Sequence, residues 1–123
     1  MKLAGYCGVD IVEREEAQMI EANLSYDLLP NVDVRAYGEW VRKAVGVMAK
    51  QPGMTEFRAN RNVLGSPQIR ATSMWRSLED WAKFSEGAAW QSMEAELRGF
   101  ASNVKAELWG PSPVMPEPVH PAP

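Results

Sequence analysis

Two helices laid on one face of a four-stranded antiparallel sheet, an α+β arrangement, are what the sequence predicts. Three observations point there. Two stretches place apolar residues at helical spacing, four others alternate or favour strand residues, and turn residues separate them in the order strand, helix, strand, strand, helix, strand.

Met19 to Leu29 is the first strand. Ile20, Ala22, Leu24 and Tyr26 share one face, and Glu21, Asn23, Ser25 and Asp27 share the other. Pro30-Asn31 ends it, and Asp33 is placed to cap a helix. In that helix Val34, Tyr37, Val41, Ala44, Val45 and Met48 recur at helical spacing, and Gln51-Pro52-Gly53 stops it. Met54 to Val63 and Gln68 to Arg76 are two strands joined by Leu64-Gly65-Ser66-Pro67, a hairpin by composition. Ser77 then starts a second helical stretch to about Ser102, with a break near Ser85-Glu86-Gly87 and Trp81, Phe84, Trp90, Met93, Leu97 and Phe100 on its apolar side. Asn103 ends it, and Val104 to Trp109 is the last strand. The order β-α-β-β-α-β is the ferredoxin-like split motif. Its helices cover one face of the sheet, and Glu56, Arg58, Asn60, Arg70 and Met74 are expected on the other.

The 123 residues thus divide into a leader (1–17), a folded domain (18–110) and a tail (111–123) that holds six of the nine prolines. A tail of that composition is extended and loses little entropy on ordering, so it can lie along a neighbouring subunit. Trp109 is a second candidate for such a contact.

Composition excludes several function classes. The balance of 13 basic to 16 acidic residues includes no basic stripe, so no nucleic-acid partner is expected. No run approaches the roughly 18 apolar residues that span a bilayer; no membrane partner and a cytoplasmic location follow. Cys7 alone forms no internal disulfide, and with one histidine, His120, set among prolines, metal ligation and Ser-His-Asp catalysis lack their parts. No glycine-rich phosphate loop follows a strand.

Gln51-Pro52-Gly53, a strand, a hairpin, a strand ending in Trp75 and then Arg76-Ser77-Leu78-Glu79-Asp80-Trp81 together resemble the antibiotic biosynthesis monooxygenase family, over roughly Met19 to Trp109. The resemblance implies a dimeric α+β barrel, a homodimer whose two sheets face one another, with an apolar cleft between sheet and helices in each subunit. It implies no metal, haem or flavin cofactor. A flat phenolic or enolic substrate of polyketide or quinol type would itself give an electron to dioxygen as its anion. The matching catalytic pair is Asn23 and Trp75, one a hydrogen-bond donor and acceptor, the other a donor with a stacking ring. The pair requires both residues on the helix-facing side, whereas Asn23 lies on the polar face of its strand. Tyr37, Trp81, Phe84 and Trp90 are the expected substrate-binding residues, and their spacing equally suits core packing. Relatives with this fold that degrade haem ask for a histidine and a tryptophan on the second helix; Glu94 and Phe84 stand there, which disfavours haem.

The expectation is therefore a cofactor-independent monooxygenase for an apolar aromatic small molecule. A non-catalytic dimeric module that binds a hydrophobic ligand is the alternative. An isomerase or lyase is a third reading, and would need an acid or base such as Asp27 or Glu94 in the cleft.

Overall fold

A computed structural model describes residues 19–123, so the leader lies outside the described residues. Seven elements follow in order: β1 (Ile20–Leu28), α1 (Val34–Met48), β2 (Met54–Arg61), β3 (Ile69–Trp75), α2 (Leu78–Glu86), α3 (Ala88–Leu97) and β4 (Ala101–Trp109). The four strands form one antiparallel sheet in the order β2-β3-β1-β4, which is the ferredoxin-like α+β topology the residue pattern predicts. After Trp109 the chain has no further helix or strand. No helix of the described residues is long and apolar enough to cross a membrane.

Alternation along the strands decides which residues meet the helices. Ile20, Ala22, Leu24 and Tyr26 of β1 stand opposite Trp75, Ser73, Ala71 and Ile69 of β3, and these positions pack under the helices. Glu21, Asn23 and Ser25 stand opposite Met74, Thr72 and Arg70 on the open face. The next strand adds Glu56, Arg58 and Asn60 to that face, where Arg58 pairs with Glu56 at 2.6 Å.

Asp33 caps α1 by accepting from the backbone N–H groups of Arg35 and Ala36, both at 3.1 Å. The helix then buries Trp40, Ala44 and Met48, one residue per turn. Trp40 locks it to α3, its indole N–H donating to the Met93 carbonyl at 3.0 Å in the core. Two buried clusters result. One joins Tyr26, Trp40, Met93 and Leu97; the other joins Met48, Trp75 and Phe84.

The Gln51-Pro52-Gly53 stop has a structural purpose. Gly53 has φ +87°, which a side chain resists, and a Cβ there would overlap the Asp80 side chain. The Gly53 carbonyl accepts from the Arg76 N–H at 2.8 Å. Glycine therefore lets the start of β2 sit directly against the first turn of α2, whose cap, Ser77, accepts from the Asp80 N–H at 3.1 Å.

Two boundaries differ from the sequence-based expectation. The second helical stretch divides into two helices at the expected break, where Gly87 is extended (φ −75°, ψ 155°). It ends at Leu97, short of Ser102, since the chain turns there to bring Ala101 beside Leu28. Asn103 does not end a helix. It lies inside β4 with φ 55°, beside a register shift between Ser25 and Asp27, where its short amide tolerates the left-handed backbone.

Asp27 organises that bulge. Its carboxylate accepts from Ser66 Oγ at 2.6 Å, Asn103 Nδ2 at 2.9 Å and the Gln68 N–H at 2.8 Å. These bonds, the one from Ser66 first, hold its carboxyl below the ordinary carboxylate range. A depressed folded-state pKa stabilises the fold above the ordinary carboxylate pKa of about 4, and that stability is lost as pH falls through the folded value. Asp27→Asn is therefore expected to melt below wild type at pH 7, with the gap closing in acid; equal melting temperatures at pH 7 would contradict this.

Candidate active site

A cavity of about 330 Å³ lies between the sheet and the helices. Its origin is a row of small side chains. Ala59, Ala71, Leu24 and Ala106 stand side by side across the four strands, and Ala44 of α1 is also on the cavity wall. Alanine at three of the four inward positions leaves space that a larger aliphatic residue would fill.

Aromatic rings line the rest. Trp81, Phe84 and Trp90 come from α2 and α3, with Phe84 and Trp90 tilted at 43° and their centroids 5.3 Å apart. Tyr26, Tyr37 and Trp40 form another part of the wall, and Tyr37 stacks on Trp40 at 6.1 Å. All four residues expected to bind substrate, Tyr37, Trp81, Phe84 and Trp90, are on this wall. The lining is thus apolar, with a few polar groups.

The first of those groups is a pair of hydroxyls, Tyr26 Oη and Tyr37 Oη, 2.6 Å apart. Burial pushes Tyr26 far above the ordinary phenol range, and the bond to Tyr37 and its charge push the same way. Burial also raises Tyr37, against a lowering by its bond to Tyr26. Both hydroxyls therefore keep their protons at neutral pH. The second group is Glu94, one turn beyond Trp90 on α3 and paired with the exposed Arg98 at 3.5 Å.

Asn23 and Trp75 do not come together. Trp75 is fully buried, its indole N–H donates to Ser73 Oγ at 2.8 Å, and its ring stacks on Phe84 with centroids 5.2 Å apart. It is not among the residues of the cavity wall. Asn23 borders the cavity, but its side chain turns to the opposite face of the sheet. Its carbonyl oxygen accepts from Thr72 Oγ1 at 2.5 Å, and its amide donates to Glu21 at 2.9 Å. The expected pair is thereby corrected to two separate structural sites, and strand alternation is the reason. Because Asn23 is 8% exposed, Asn23→Ala leaves the buried Thr72 hydroxyl without its partner. The expected cost is about 1–3 kcal/mol in urea unfolding. Loss of turnover with unchanged stability would contradict that assignment.

Asp27 is engaged at the bulge, so of the two carboxylates considered as cleft acids only Glu94 reaches the cavity. His120 is exposed in the tail. Among the described residues no group of three His, Cys, Asp or Glu side chains is placed to hold a metal ion. The row of inward alanines was readable from the strand alternation; what carried no signal was that Ala44 would face the same space, since that depends on how α1 sits on the sheet.

No protein-family model matches the chain, and no curated protein sequence does. Solved structures do match. SnoaB, a cofactor-independent oxygenase from Streptomyces nogalater, superposes with a TM-score of 0.60 at 11% identity, over 81% of this chain and 97% of that one. Hydroxynitrile lyase from Passiflora edulis superposes with a TM-score of 0.68 at 9% identity, over 80% and 97%. A dabb family protein from Mesorhizobium loti matches with a TM-score of 0.66 at 9% identity, over 77% and 98%. At such identities the likeness is one of fold. The chain has the ferredoxin-like α+β fold, which it shares with a cofactor-independent oxygenase, a lyase and a dabb protein.

Proposed function

We propose that the cavity binds a flat, apolar phenolic or enolic molecule and that the protein oxidises it with dioxygen, without a cofactor of its own. The observation that carries this reading is the cavity itself, open between sheet and helices and walled by Tyr37, Trp81, Phe84 and Trp90. Pockets of roughly 300–1,000 Å³ with few polar groups are typical small-molecule sites.

Glu94 is the group placed to start the reaction. It takes a proton from a ring carbon of the substrate's keto form, and the resulting enolate or phenolate anion gives an electron to dioxygen. The radical pair combines to a peroxide, Glu94 returns the proton to it, and loss of water leaves a carbonyl. The ring-lined wall keeps water from the anion. The same carboxylate supports a second reading, a lyase or isomerase in which proton removal suffices and oxygen takes no part.

An oxygen electrode separates the two with a panel of anthrones and hydroquinones. One dioxygen consumed per carbonyl formed is expected. Equal turnover under argon would favour the lyase or isomerase, and no turnover in either gas would contradict both and leave a ligand-binding module. The reading includes a homodimer closed over the open sheet face, where Trp109 is 55% exposed; light scattering that reports a monomer at micromolar concentration would contradict it.

A further inference from the structure

We infer that the Tyr26–Tyr37 hydroxyl pair is the recognition point for one oxygen of the ligand, so that the cavity selects an aromatic body carrying a carbonyl, phenol or phenolate oxygen over a plain hydrocarbon. This rests on the reading that the cavity is the ligand site.

Proton counting leads to it. The pair carries two O–H protons at neutral pH, and only one can lie between oxygens 2.6 Å apart. Among the described residues each hydroxyl is bonded to the other alone. The second proton therefore has no acceptor in the described protein, although both residues stand on the cavity wall. Tyr26 is 3% exposed, whereas Tyr37 is only half-buried, so Tyr37 is the member that a ligand reaches. With Tyr26 donating to Tyr37, the Tyr37 O–H is left to donate into the cavity, and a chain of two such bonds polarises the outer donor.

The ring surroundings hold that donor in place. Tyr37 stacks on Trp40 and meets the edge of Phe100 at 5.9 Å, so its ring is packed on two sides. A donor fixed in advance costs little ordering on binding. The other ionisable group whose side chain stands on the wall is Glu94, a carboxylate and no donor when ionised; Glu107, opposite Asn23, turns its side chain to the open face, where it pairs with Lys105 at 3.1 Å. A ligand anion would therefore turn its oxygen toward the tyrosines and away from Glu94.

The test is a matched pair of probes, nitronaphthol and naphthalene, titrated into the full chain by tryptophan quenching, with wild type, Tyr37→Phe and Tyr26→Phe. Wild type is expected to bind both. Tyr37→Phe is expected to bind nitronaphthol roughly tenfold more weakly, about 1.4 kcal/mol, and naphthalene as well as before, with Tyr26→Phe showing a smaller loss of the same kind. The bound nitronaphthol should ionise at lower pH in wild type than in Tyr37→Phe, a visible-absorbance shift that a merely structural tyrosine would not cause. Equal losses for both probes, or none for either, overturn the inference and leave the cavity as the ligand site. If neither probe binds wild type, the cavity reading fails too.

Discussion

Trp75→Ala is expected to remove about 3–5 kcal/mol of unfolding free energy, the range for deleting a large buried aromatic ring. Against a total of about 5–15 kcal/mol for a typical domain, that is enough to unfold a large fraction of the protein on mild heating. The reasons are local. Trp75 is fully buried, stands across from Ile20 and Met54 in the two neighbouring strands, and stacks on Phe84. Its truncation also leaves Ser73 Oγ without the indole donor. Urea unfolding measures the effect. Trp75→Phe, which keeps most of the volume, is expected to lose less stability and to turn over at the wild-type rate. A Trp75→Phe protein of full stability and abolished turnover would restore a catalytic role to the indole.

Glu94→Gln is expected to lower turnover by roughly 10²–10⁴-fold, the usual worth of a positioned general base. The substitution keeps size and shape while removing the ability to take a proton. The Glu94 side chain is 29% exposed and its partner Arg98 is 59% exposed, so the unfolding free energy should change by less than about 1 kcal/mol. The split between a large kinetic effect and a small stability effect distinguishes a base from a packing residue. Turnover within twofold of wild type would remove Glu94 from the reaction and with it the lyase reading.

The frame of this fold was legible in the sequence because its signals are local. Alternation in Ile20–Tyr26 and Ile69–Trp75, the Asp33 and Ser77 caps and the glycine at position 53 each act within a few residues. The likeness carried by Gln51-Pro52-Gly53 and Arg76-Ser77-Leu78-Glu79-Asp80-Trp81 turns out to be architectural. Gly53 makes room for Asp80, so the motif joins β2 to α2 and says little about chemistry. The Asn103 boundary was not legible, since a left-handed residue inside a strand needs Asp27 across the sheet to hold it.

The candidate site was legible only in part, for the same reason. Tyr37, Trp81, Phe84 and Trp90 could be placed on inner helix faces by spacing, and the cavity receives all four. Asn23 and Trp75 lie in adjacent strands yet on opposite faces, so an identity match at two positions outweighed the parity that separates them. The hydroxyl pair of Tyr26 and Tyr37 joins β1 to the helix that follows it, and it depends on how α1 sits on the sheet, which no local pattern encodes.

The most direct measurement is binding of nitronaphthol to wild type and to Ala71→Phe, which places a ring in the middle of the alanine row. Ala71 is half-buried and on the cavity wall, so the new ring can take the empty volume with the fold preserved, as circular dichroism would register. Wild type is expected to bind with quenching of its tryptophans, and Ala71→Phe is expected to bind at least tenfold more weakly, about 1.4 kcal/mol or more. Undiminished binding by folded Ala71→Phe would show that the ligand sits elsewhere and would contradict the cavity as the functional site.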